Sequence, residues 1–177
     1  MSSSKPKEAP KDIQPDALIH PTAILTGDHL ITVASKAIIQ PRTTLDSSAH
    51  QIKVGADTII SERSTIGSKA VDTDHNLTAI NIGQGVILET GTTISAGATI
   101  GDFTIIAAGA TVGPGATIGT NCSIAQRVTI LERDTVPDNM VVWGDGWDQR
   151  RIGIHDGGRE GLVKGLANGL RAVWSNK

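Results

Sequence analysis

The 177-residue chain has no tyrosine and a single phenylalanine, Phe103, so its core lacks the large rings that fill wide gaps between layers in ordinary domains. A core built without them has to be narrow and regular. One cysteine, Cys122, excludes an internal disulfide and suits a reducing compartment. No apolar segment reaches the roughly 20 residues a bilayer span requires, and no hydrophobic run follows the lysines of Met1–Lys11. These absences predict a soluble cytoplasmic protein with no signal peptide and no membrane insertion. The formal net charge is −2, with no dense lysine and arginine stretch, which argues against nucleic acid as a partner.

Glycine is plentiful, at 20 residues, and it recurs with a beat. Steps of six from Ile82 land on Leu88, Ile94, Ile100, Ile106, Val112, Ile118, Ile124, Ile130, Val136 and Val142, every one aliphatic. Four residues after each aliphatic stand Val86, Thr92, Ala98, Thr104, Ala110, Ala116, Cys122 and Val128, all small or medium-sized. A period of six fits neither a helix nor a plain half-buried strand. It fits a short strand followed by a tight corner, three such sides closing one coil, with the large aliphatic pointing inward and the small residue filling the corner. Each coil then hydrogen-bonds to its neighbours at a spacing of about 4.8 Å. Weaker copies, Ile19 and Leu25, then Val33, Ile39 and Leu45, then Val54, Ile60 and Ile66, extend the pattern toward the N-terminus, interrupted at Asp46–Gln51 and Asp72–Asn81, which are expected to be loops thrown out from a corner.

The predicted fold is an all-β solenoid of six to seven coils, a parallel β-helix of hexapeptide repeats. The domain reading is a disordered tail over 1–16, β-helix over 17–147, linker over 148–157 and helix over 158–174. Leu162, Leu166 and Leu170 recur at helical spacing beside Gly161, Gly165 and Gly169, so the helix is expected to press its glycine stripe closely against a flat wall. Trp143 and Trp147 are expected to cap the last coil.

Two enzyme groups share this architecture by resemblance, and such hexapeptide β-helices are left-handed despite the usual preference for right-handed crossovers. The γ-class carbonic anhydrases hold zinc with three histidines, the set that leaves one coordination position for water. No histidine lies between Asn76 and Ile154, and Thr90 and Ser95 stand where such ligands would fall. Hexapeptide acyltransferases use a histidine base on or near a loop and bind acyl-CoA between the subunits of a homotrimer. His75, in the second insertion, is the leading candidate for that base. His20, His29, His50 and His155 are scattered along the sequence, and Cys122 reads as core packing.

The ordered features resemble the family of dynactin subunit 6. The resemblance rests on Gly27-Asp28, Pro41-Arg42-Thr43, the insertion after Ile66-Gly67, and the exit Val136-Pro137-Asp138-Asn139-Met140-Val141-Val142-Trp143-Gly144 followed by Arg150-Arg151. It implies a non-enzymatic, cytoskeleton-associated adaptor of the dynactin pointed-end complex, serving dynein-driven transport, with no cofactor and no metal. The implied partners are dynactin subunit 5, the other pointed-end subunits, the actin-related filament and, indirectly, dynein; a homotrimer is not expected. End coils are where one prism could stack on another, so Ile19, Leu25, Trp143, Trp147, Arg150 and Arg151 are the expected interface. An acyl-CoA-dependent acyltransferase is the alternative, and a γ-class carbonic anhydrase a more distant one.

Overall fold

The computed structural model describes residues 7–68, 79–144, 150–153 and 159–174. Short parallel strands wind into a left-handed β-helix. The first coil consists of β1 (Lys11–Ile13), β2 (Leu18–Ile19) and β3 (Ile24–Gly27), and the last of the described strands in the series are β19 (Thr135–Val136) and β20 (Met140–Trp143). Every third strand stacks on the same wall, giving sheets of seven, eight and six strands. The eighth strand of the second wall is β21 (Arg150–Gly153), which pairs antiparallel with β20 and closes that edge.

The period of six works as the sequence requires. All eleven aliphatics from Ile82 to Val142 belong to one buried core, and the corner slots Val86, Thr92, Ala98, Thr104, Ala110, Ala116, Cys122 and Val128 are buried beside them. The polar members of those slots are satisfied: Thr92 Oγ1 donates to Ser64 Oγ at 3.1 Å, Thr104 Oγ1 to Gly119 O at 2.8 Å, and Cys122 Sγ to Pro137 O at 3.1 Å. Deep burial costs these groups little because each keeps a partner. Aspartates tie successive coils at the corner between the first and second walls, where Asp102 and Asp138 accept from the amides of Gln84 and Thr120, each 18 residues away.

Departures from 18 residues per coil fall at a single corner. Leu25 pairs with Leu45, 20 residues on; Leu45 with Ile66, 21 on; Val54 with Ile82, 28 on; Ile82 with Ile100, 18 on. The extra residues leave between the third and first walls. They do so between β3 and β4 (Ile31–Val33), between β6 (Thr44–Ser47) and β7 (Ile52–Val54), and between β9 (Thr65–Ser68) and β10 (Ile80–Ile82). The first expected interruption lies there, although Asp46 and Ser47 still belong to a strand; of the second, residues 72–78 lie outside the described residues and Ile80 and Asn81 belong to β10; a shorter one, at Asp28–Leu30, joins them. Two glycines root this corner: a side chain at Gly27 would meet the backbone of Ser47 at 2.4 Å, and one at Gly67 would meet Asp46 O at 1.9 Å. Their φ values of 124° and 88° are also ones that L side chains rarely adopt.

The chain enters the prism before Ala17, where the sequence reading began it. Lys11–Ile13 pairs in register with Ile31–Val33, and Ala9, 4 % exposed, lies under the third wall with its amide donating to Leu25 O. Little in Lys11-Asp12-Ile13 signals a strand, because the hydrogen bonds to the coil above supply most of what holds it.

Helix α1 (Arg159–Trp174) lies on the second wall. The outward residues there are apolar, Ile38, Ile59 and Ile87 with Leu18 and Ile105 around them, and Val163 and Ala167 pack against this column with Leu170 at its edge. The close-packing role expected of the glycines is not what the structure shows. An added Cβ at Gly161, Gly165 or Gly169 meets nothing within 4 Å, and Leu166 is 48 % exposed. The helix presents its β-branched and alanine positions to the wall and its glycines to open space.

Candidate functional site

The corner that ejects the loops is the place where chemistry-bearing side chains gather. His29 and His50 are 21 residues apart, the same step that separates Ile31 from its partner Ile52, so the two imidazoles occupy equivalent rungs on consecutive coils. His75, the base suggested by sequence, lies outside the described residues, as do His155 and Trp147. His29 and His50 look scattered along the sequence because the register slips between them and the regular hexads.

The loop carrying His29 is clamped. Ser47 Oγ, fully buried, lies 2.7 Å from His29 O, and the His29 amide donates to Ser47 O at 3.2 Å. The His29 ring reaches the same carbonyl, with Nδ1 2.9 Å from Ser47 O. A carbonyl oxygen can only accept, so Nδ1 carries the hydrogen and, in the neutral ring, Nε2 carries the lone pair. The ring is exposed, which leaves that nitrogen open to solvent. Next to it, the Lys7 ammonium donates to Asp28 at 2.6 Å and holds the Asp28 carboxyl below the usual carboxylate range. His50 differs: its Nε2 is withdrawn from water and has no hydrogen-bond partner. His20, at the far end of the second wall's first turn, faces Thr22, whose hydroxyl lies 2.8 Å from Nδ1.

Of the six residues expected at the interface of the end coils, the five described ones divide between the two ends of the prism. Ile19 and Leu25 are half-buried at the first coil, whereas Trp143, 37 % exposed, sits on the last coil with its backbone paired to Arg150 and that of Val142 to Arg151. Six rungs at about 4.8 Å separate the groups by roughly 30 Å. Among the described residues no three of His, Cys, Asp and Glu are placed to hold a metal ion, and no helix is long and apolar enough to cross a membrane.

Comparison with known proteins bears on the family. Residues 79–114 and 97–132 each match the model described as bacterial transferase hexapeptide (six repeats). Among solved structures, a hexapeptide transferase family protein from Anaplasma phagocytophilum matches with a TM-score of 0.76 at 16 % identity, covering 94 % of this chain and 95 % of that one. A hexapeptide-repeat-containing acetyltransferase from Vibrio cholerae, solved with acetyl coenzyme A, matches with a TM-score of 0.53 at 18 % identity over 68 % of this chain and 69 % of that one. A maltose O-acetyltransferase from Clostridium difficile matches with a TM-score of 0.52 at 21 % identity over 68 % and 67 %. A search of curated proteins found no match.

These findings correct the functional expectation drawn from the resemblance. Nothing in them identifies dynactin subunit 6, and the repeat model and the matching structures are those of transferases, so the readings of a dynactin adaptor and of a non-enzyme are set aside. By its repeat and its fold, this chain is a left-handed β-helix of hexapeptide repeats, of which residues 79–132 match the bacterial transferase hexapeptide model.

Proposed function

We propose that the chain is an acyltransferase that moves an acyl group from coenzyme A to a hydroxyl or amine acceptor, with His29 as general base. The observation that carries this reading is the fixed tautomer of His29, whose Nδ1–H is anchored on Ser47 O at 2.9 Å while Nε2 is left exposed to accept a proton. In the reaction, Nε2 takes the proton of the acceptor as its oxygen or nitrogen forms a bond to the thioester carbonyl carbon. The carbon–sulfur bond then breaks, and the proton passes to the departing thiolate, giving free coenzyme A. A positioned base of this kind contributes roughly a hundredfold to ten-thousandfold in rate. The full-length likeness to a hexapeptide transferase family protein and the acetyl coenzyme A of the Vibrio cholerae structure support the choice of donor.

The test measures acetyl-CoA binding by calorimetry and thiol release against a panel of hydroxyl and amine acceptors. Expected are saturable binding, acceptor-dependent thiol release, and a loss of about a hundredfold or more in turnover for His29→Gln with binding retained. Absence of both binding and thiol release would overturn the proposal. Full activity in His29→Gln would remove His29 from it.

A further inference from the structure

The two ends of the prism are finished differently, and the N-terminal end is left open. Ile31 donates its amide downward to Pro10 O, Val33 O accepts from Gln14, and Ile39 O accepts from His20, so these residues face the coil beneath them. Their counterparts one coil lower include Ile13, paired with Val33, and Ile19, paired with Ile39. Those two residues face the same way, with no coil below, and no backbone partner takes their downward groups among the described residues. Their side chains and that of Leu25 are the inward aliphatics left half-buried, and Ile24 at the rim is 50 % exposed. Among the described residues only the third wall is covered, by the Lys7–Ala9 segment that bonds to β3.

From this we infer that the N-terminal end of the prism binds the same end of a second copy of this chain, base to base across a two-fold axis. Four observations select that occupant. A triangular apolar mouth edged by free strand groups is matched in shape by another such mouth, and opposed coils place their edge strands antiparallel, a sound pairing geometry. At the opposite end β21 already occupies the edge of β20, so the second wall's parallel ladder stops there, whereas at the N-terminal end the second wall's edge, β2, has no such strand among the described residues. The rim carries Glu8 and Lys11 side by side, so a two-fold rotation can set unlike charges of the two copies against one another. Met1–Pro6, the neighbouring segment of sequence, offers one apolar residue, too little to cover three aliphatics.

The experiment compares the solution mass of the full chain with that of Ile24→Glu by light scattering after gel filtration, with circular dichroism melts as the control for folding. Because Ile24 is an outward, exposed residue, the variant is expected to melt like the wild type while its mass falls twofold, from dimer to monomer or from hexamer to trimer. Amide exchange at Ile13 and Ile19 is expected to be slow in the wild type and to quicken in the variant. Equal masses with fast exchange in both would overturn the inference. So would a chain lacking residues 1–6 whose Ile13 and Ile19 amides became unprotected without any change in mass, since the tail would then be the occupant.

Discussion

Replacing Gly161, Gly165 and Gly169 together by alanine should stabilise the docked helix. Each glycine lies inside α1, its added Cβ meets nothing within 4 Å, and none has a positive φ that a side chain would strain. The change is therefore close to a pure helix-propensity effect, worth about 1 kcal/mol per site in a helix interior. Part of that gain comes from restricting the unfolded chain. Sites four residues apart on an empty face share no partner, so the three add to about 3 kcal/mol, more than a hundredfold in the opening equilibrium of the helix. The prism does not need the helix to hold its coils together, so local opening of α1 is the quantity to follow, and hydrogen exchange of the Val163–Leu170 amides reads it directly. Slower exchange by about two orders of magnitude, with the prism amides unchanged, is the expected result. Unchanged or faster exchange would refute the reasoning, since it would mean that the glycine face meets something the added methyls displace.

Two further outcomes follow from the core and from the surface carboxylates. Ile106, fully buried, lies mid-prism; Ile106→Asp loses roughly 1.5–3 kcal/mol of burial and places a carboxylate without a partner in the core, so the variant should lack the cooperative thermal transition of the wild type. Asp16, which accepts from the Ser35 hydroxyl and the Lys36 amide, and Asp28, beside Lys7, both have carboxyls held below the ordinary value of 3.8. A depressed folded value means that their contribution is complete above pH 3.8 and disappears as the pH drops below it, so the melting temperature should fall in that acid range and fall less in Asp16→Asn.

What was legible in the sequence followed from repetition. The inward hexad positions name themselves because each must be aliphatic for the same steric reason, and ten steps of six leave no other register for Ile82–Val142. Features set by a single contact were not legible. Lys11-Asp12-Ile13 looks like polar tail because its place depends on backbone pairing with Ile31–Val33. The helix offers two apolar stripes, Leu162-Leu166-Leu170 and Val163-Ala167, and nothing local says which one meets a wall of isoleucines. His29 and His50 become rung-mates only once every added residue is assigned to one corner, and the anchoring of His29 on Ser47 O is a contact between coils that no motif encodes.

The outward column of the second wall, Leu18, Ile38, Ile59, Ile87 and Ile105, restricts how this molecule can change length in evolution. Adding or losing 18 residues, the separation of Ile82 from Ile100, moves each later strand by a whole turn and leaves the column intact. Adding or losing six would keep every inward aliphatic in place and yet turn the later coils by a third of a revolution, setting the threonine-bearing walls beneath the helix. Length is thus quantised twice, in hexads by the interior and in whole coils by the seat of α1, and insertions of any other size are admitted only where they leave the prism altogether.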